Sequence, residues 1–330
     1  MSRWRDEDDV RNRPSRRNAP RRSKDKPTHE GSQSALVVAV DRGRITCAVD
    51  DNPDACVTAV KARSLGRKGV VVGDRVQLVG DTSGVEGTLA RIVSCDDRAT
   101  TLRRTADDSE ADERVIVANA DLLVIVAAIA DPQPRPRLID RYLVAAYCAG
   151  MTPLLVLTKT DLADPSELMQ YYSPLSVEVF TTAPDRVPSA LRERLTGSVS
   201  VLVGHSGVGK STLLNALVPS AEQRTGGVNS VTGRGRHTTT SSSALAYPGG
   251  GWLIDTPGIR SFGLGHAGLD DVLAAFPELA DGTDGCPRGC THDESECGLD
   301  AFVATGALGP RGESLLDSLR RLIRSLSTGS

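Results

Sequence analysis

The chain has 330 residues, enough for two or three domains at ~100–200 residues each. Its 39% hydrophobic and 25% charged content is that of a globular chain, not a disordered or collagenous one. The net charge of -3 conceals an asymmetry, because residues 1–30 hold ten Arg or Lys against six Asp or Glu and the remainder is acidic.

The amino terminus lacks the apolar core of a signal peptide. The longest apolar stretch, residues 115–130, is interrupted by Asn119 and Asp121, so neither export nor a membrane span is expected. Of the seven cysteines, Cys47, Cys56, Cys95 and Cys148 are scattered, whereas Cys286, Cys290 and Cys297 crowd around His292. An odd count with one tight cluster points to a reducing, cytoplasmic setting and a metal site, not a disulfide frame.

Residues 1–34 are rich in Arg, Pro, Ser and Asn and nearly devoid of apolar side chains. Such a segment cannot bury enough surface to offset ordering entropy, so a basic, disordered tail is expected. Residues 35–105 change to short Val/Ile/Thr-rich runs, at 35–40, 44–49, 55–60 and 69–79, separated by Gly and Asp turns. That pattern predicts a small antiparallel β-barrel of OB type. Residues 35–104 contain no Phe, Tyr or Trp, which argues against base stacking. The basic group Lys61, Arg63, Arg67, Lys68, Arg103 and Arg104 suits phosphate contact or recognition of folded RNA by shape.

Residues 106–265 alternate apolar runs (122–128, 153–157, 199–203) with helical patterns (137–149, 211–217). This predicts a parallel sheet covered on both faces. Residues 266–330 read as a small helical, zinc-binding domain ending in an amphipathic helix over 313–326, whose leucine stripe is expected to pack on its own domain.

The motifs lie in the third and fourth segments. A strand at 199–203, the loop Gly204-His205-Ser206-Gly207-Val208-Gly209-Lys210-Ser211 and a helix from Thr212 form a phosphate-binding loop in its full context. The glycines let backbone amides wrap phosphate oxygens, Lys210 faces the terminal phosphates and Ser211 is a Mg2+ ligand. Asp255, closing the apolar run before Thr256-Pro257-Gly258, is a second Mg2+ ligand, and Gly258 would sense the terminal phosphate. Between them the segment 233–240 ends in three threonines, of which Thr239 is assigned to the metal shell. His237 is the candidate for orienting water, the alternative being a group on a partner, because Ile259 follows Gly258 where a Gln is usual.

Guanine recognition falls to Thr158-Lys159-Thr160-Asp161, whose carboxylate accepts N1–H and N2–H together. Thr182 and Ala183 supply a weaker last motif that backs the base with a main-chain amide. These guanine motifs precede the phosphate loop, an order reversed from an ordinary GTPase. Cys286, Cys290, His292 and Cys297 supply four ligands for one structural Zn2+.

With the permuted order, Gly233-Arg-Gly-Arg-His-Thr-Thr-Thr240, Ile139-Asp-Arg-Tyr-Leu143, Phe276-Pro-Glu278 and the Cys/His cluster, residues 35–325 resemble the circularly permuted, small-ribosomal-subunit-dependent GTPases of the RsgA type. The resemblance implies an OB domain, a permuted GTPase domain and a zinc domain in that order. It also implies GTP turnover to GDP, activation by the small ribosomal subunit through rRNA contact, and a role late in its maturation. A monomer is expected. The chain departs from the family pattern at Thr158 (usually Asn), at His205 (usually Gln) and in a shortened Cys/His spacing.

Overall fold

The computed structural model describes residues 31–327 except 42, 51, 67–68, 106–112, 176, 220–241, 257–263 and 265–267. Nearly all of the predicted basic tail, together with Arg67, Lys68, His237, Thr239 and Gly258, lies outside the described residues.

The first five strands are β1 (Gln33–Asp41), β2 (Arg44–Val49), β3 (Asn52–Lys61), β4 (Arg75–Gly80) and β5 (Ala90–Cys95). β1 pairs antiparallel with both β2 and β4, β2 with β3, β4 with β5, and β3 runs parallel to β5, which closes the sheet on itself. Alternate residues, among them Val37, Cys47, Val57, Leu78 and Ile92, fill the interior, as a barrel of this size requires. Burial raises the thiol of Cys47 to about 12, so it is an inert core residue.

The strand expected over 69–79 begins only at Arg75. Gly73 has φ +89 and the fully buried Asp74 holds the preceding turn. Its carboxylate accepts Val71 N at 2.8 Å and takes Nε and Nη2 of Arg98 at 2.7 and 2.8 Å. Val72 forms an isolated bridge with Val117. Arg103 and Arg104 sit on β6 (Thr101–Thr105), which pairs with β7 (Glu113–Ala118) in a separate two-stranded sheet. The expected basic group is thus divided, with Lys61 and Arg63 at the end of β3 and the two arginines on this hairpin.

The second part of the main sheet has the order β10-β9-β8-β11-β13-β12. These strands are β8 (Leu122–Ala128), β9 (Thr152–Thr158), β10 (Glu178–Thr181), β11 (Val199–Val203), β12 (Ser243–Ala246) and β13 (Trp252–Asp255). All but β12 run parallel. Every residue of β8 is buried, because helices cover both faces. On one face α1 (Pro136–Cys148) places Ile139, Leu143 and Ala146 over Leu123 and Ile125. On the other, α3 (Ser189–Leu195) and α4 (Lys210–Leu217) pack Leu191 and Leu213 against Leu122 and Val124. Pro136 opens α1, where its missing N–H costs nothing. The short helix α2 (Ser166–Tyr172) follows β9. The barrel joins the edge of this sheet through Ala39 of β1 opposite Ser243 of β12.

The carboxy-terminal region holds α5 (Leu269–Leu273), a 3-10 segment (Pro277–Gly285), α6 (Gly298–Ala304) and α7 (Gly312–Ser327). The leucine stripe of α7 packs on α5 and α6 of its own region, as expected, and on α1 as well. One ion pair marks this junction: Arg321 Nε lies 3.2 Å from Asp140 Oδ2, with the carboxylate side chain 4% exposed. Burial pushes the Asp140 carboxyl up, and the Arg321 charge opposes that rise. The guanidinium also lies 4.1 Å over the Tyr171 ring.

A Cβ at Gly73 would lie 1.9 Å from Ala118 O, in a left-handed backbone. Gly73→Ala is therefore expected to lower stability by about 2 kcal/mol or more. Gly69→Ala, where a Cβ meets nothing within 4 Å, should change it by less than about 0.5 kcal/mol. Urea unfolding midpoints of the two variants check this.

Candidate nucleotide site and metal centre

The loop 204–209 joins the end of β11 to the start of α4. Gly204 crosses the end of β8 so closely that a Cβ would lie 2.5 Å from Val126 O, which excludes every side chain there. Gly209, at φ +86, is the amino-terminal cap of α4. Val208 is buried, whereas Ser206, Gly207, Ser211 and Thr212 open to solvent. His205, half-buried, lines a small cavity with Arg135 and Tyr142.

Pairing of Leu202 with Asp255 brings the end of β13 beside this loop. Lys210 Nζ lies 3.4 Å from Asp255 Oδ1 and 3.4 Å from Thr256 O. Asp255 Oδ1 is buried and accepts no hydrogen bond. A desolvated carboxylate oxygen at the mouth of a phosphate loop suits a hard divalent cation. Thr256, which the sequence did not single out, donates to Leu202 O at 2.8 Å and fixes β13 to β11.

The guanine-motif residues come from the next two strands. Thr158 ends β9 and is buried; its Oγ1 donates to Val208 O at 2.6 Å. Lys159 takes φ +60, and its ammonium contacts Asp131 O. Thr160 donates to Thr182 O through both N (3.3 Å) and Oγ1 (3.1 Å), and Thr182 N donates to Leu157 O at 2.8 Å. A cleft of about 90 Å3 is lined by Thr158, Lys159, Thr182, Ala183, Gly209 and Thr212, with Pro184, Val187, Leu213 and Ala216. Six predicted residues thus meet around one cavity. Asp161 is exposed and is not part of its wall. Ala183 N donates to Arg186 O at 3.1 Å, and Arg186 N returns the bond to Ala183 O at 3.0 Å, closing a tight turn.

Sequence reasoning missed Asp131, Pro132 and the apolar wall Pro184, Val187, Leu213 and Ala216. Asp131 and Pro132 lie just past the carboxyl end of β8, where ligands bind open α/β sheets, and that rule was the available signal. A larger cavity, about 370 Å3, lies at the opposite ends of β9 and β10, walled by Met151, Phe276 and Leu315. Its wall includes Phe276, Pro277 and Glu278 but none of the predicted nucleotide-site or Cys/His residues.

The four Cys/His ligand atoms of Cys286, Cys290, His292 and Cys297 all lie within 4.8 Å of one another. Cys286 and Cys297 Sγ are 3.8 Å apart and stand 3.5 and 3.6 Å from His292 Nδ1. Tetrahedral zinc, with arms of roughly 2.3 Å to sulfur and 2.0–2.1 Å to nitrogen, places its ligands roughly 3.8 and 3.5 Å apart. The donor set and its spacing therefore suit Zn2+. α7 grips this loop twice: Arg320 binds Asp300 at 2.9 and 2.6 Å and His292 O at 2.9 Å, and Arg324 binds Asp293 at 2.9 and 2.6 Å.

The RsgA GTPase family model matches residues 95–265. The chain is 40% identical over 271 residues to the small ribosomal subunit biogenesis GTPase RsgA of Pseudomonas fluorescens, covering 79% of this chain and 76% of that one. The chain belongs to the RsgA GTPase family. The RsgA of Pseudomonas aeruginosa is 44% identical over 221 residues, 64% of each chain. The crystal structure of YjeQ from Thermotoga maritima matches with a TM-score of 0.64 and 25% identity over 91% of this chain and all of that one. YloQ, a circularly permuted GTPase, shares the fold with a TM-score of 0.65 and 19% identity over 92% and 98% of the two chains. As an RsgA-family GTPase the chain hydrolyses GTP to GDP, on a permuted GTPase fold flanked by an OB-like barrel and a Cys3His cluster.

Metal analysis of protein purified without chelators is expected to return about one zinc per chain and, for Cys290→Ser, much less. Because the cluster shares no residue with the phosphate loop, GTP affinity of that variant should stay within about threefold of wild type.

Proposed function

We propose that this RsgA-family GTPase uses GTP to control its hold on the small ribosomal subunit during late maturation, touching rRNA through basic side chains. The strongest support for one composite nucleotide site is the bond from Thr158 to Val208 O, across 50 residues of sequence, which joins the guanine motif to the phosphate loop. The names of the Pseudomonas relatives support the ribosomal role. Exposed Arg63 with Lys61 on the barrel side, and Arg103 and Arg104 on the hairpin, form the proposed rRNA surface, to which Arg67 and Lys68 are added from the sequence alone. The working division is a barrel over 35–105, a GTPase unit over 106–265 and a zinc unit over 266–330.

In this reading the loop amides of 204–209 and the helix end at Lys210 cradle phosphate, and the Lys210 charge leaves Asp255 for the terminal phosphates. Ser211, Asp255 and Thr239 would hold Mg2+, which when bound neutralises charge on the phosphate oxygens. Asp161 accepts guanine N1–H and N2–H, with Lys159 and Thr160 shaping the motif and Thr182 and Ala183 closing the base side. Gly258 senses the terminal phosphate. His237 orients water, its imidazole accepting a hydrogen bond near neutral pH.

Asp161→Asn should shift preference from GTP to xanthosine triphosphate, whose C2 carbonyl replaces a donor with an acceptor; competition binding reads this, and an unchanged preference refutes the assignment. Turnover alone should be slow, below about 0.1 per second, and rise strongly with purified small subunits. His237→Ala should abolish that stimulation while a non-hydrolysable GTP analogue still binds. Full stimulated turnover in the variant would move the catalytic group to the ribosome.

A further inference from the structure

Thr158 takes the first place of the guanine motif, where Asn is the usual residue, and its surroundings define what a hydroxyl does there. It is 6% exposed at the end of β9. Its Oγ1 lies 2.6 Å from Val208 O and 3.4 Å from Ala127 O. A hydroxyl has one proton to donate, and the 2.6 Å contact, at the short end of the O–H···O range, claims it. The loop backbone also rests on this side chain, since a Cβ built at Gly209 would stand 3.5 Å from Thr158 Oγ1.

We propose that Thr158 is a positioning residue that ties the phosphate loop to the guanine strand through Val208 O and gives no hydrogen bond to the base. The proposal rests on reading the adjoining cleft as the guanine site. Guanine offers two acceptors, N7 and O6, on the edge that the Asp161 carboxylate does not meet. An Asn amide has two N–H groups and can serve Val208 O and N7 together; Thr158, with one proton, cannot.

Neighbouring backbone N–H and hydroxyl donors are also bonded within the protein. Thr182 N goes to Leu157 O, Thr160 N and Oγ1 to Thr182 O, Ala183 N to Arg186 O, and the Lys159 ammonium contacts Asp131 O. Base selection therefore rests on the N1–H/N2–H edge, and N7 is not read by residue 158. Losing the tie should loosen any nucleotide equally, because it acts on the phosphate loop and not on the base.

The test compares dissociation rates of GDP and 7-deaza-GDP, which replaces N7 with C–H, from the full chain and three variants. Thr158→Val, nearly isosteric without the proton, is expected to speed release of both by the same factor, about tenfold, equivalent to ~1.4 kcal/mol. Thr158→Ser, which keeps the hydroxyl, should stay near wild type. Thr158→Asn adds a second donor and should make 7-deaza-GDP leave several-fold faster than GDP. Wild-type rates in Thr158→Val would overturn the tie. A changed ratio of the two rates between wild type and Thr158→Val would show that Thr158 reads the base. If the Val variant does not fold, Ser and Asn decide: an Asn variant with the wild-type ratio refutes the one-proton account. Asp161→Asn, measured in parallel with xanthosine diphosphate, tests the guanine reading separately, since it leaves Thr158 intact.

Discussion

Parallel pairing of β8 with β9 and β11, and of β11 with β13, is the constraint on which the site depends. In a parallel sheet all carboxyl ends lie along one edge, and the register sets Val203 opposite Ile125, Asp255 opposite Leu202 and Thr158 opposite Ala128. Four strand ends thereby converge although their motifs are scattered over about a hundred residues. Strand pairing depends on neighbours in space and not on the order in which the chain visits them. A GTPase site therefore survives relocation of the chain ends, with the guanine motifs first and the phosphate loop after them. The close crossing of Gly204 over Val126 O is a direct result of the same adjacency.

Helix α7 gives the carboxy-terminal region its place. Its apolar stripe lies on α1, so the Cys/His loop and the parallel sheet share one helix pair. Three arginines within five residues divide the work: Arg320 and Arg324 hold Asp300 and Asp293 beside the Cys/His cluster, and Arg321 meets Asp140 on α1. The buried Arg321–Asp140 contact is electrostatically demanding, since Asp140 Oδ1 and two Arg321 nitrogens have no hydrogen-bond partner. Pairs of this kind specify an arrangement more than they stabilise it. α1 begins at Pro136, directly after the 131–135 segment that meets Lys159 through Asp131 O. A chain of contacts thus links the Cys/His cluster, through α7 and α1, to Lys159.

What the sequence determined by itself was whatever depends on a short stretch of chain. The phosphate loop was legible because its glycines, Lys210 and Ser211 act within one strand-loop-helix unit. The Cys/His cluster was legible because twelve residues hold all four ligands, and the barrel because short Val/Ile/Thr-rich runs broken by Gly and Asp turns mark its strands. Tertiary structure alone decided what depends on groups far apart in the chain. The early part of the 69–79 run became a turn because Asp74 meets Arg98, α1 joined α5 and α6 in covering the α7 stripe, and Arg103 and Arg104 went to a separate hairpin. The single proton of Thr158 was likewise assigned by Val208 O. Hydrogen bonds and buried apolar faces have short range and one partner at a time, so their allocation is undetermined until the fold brings the competitors within reach.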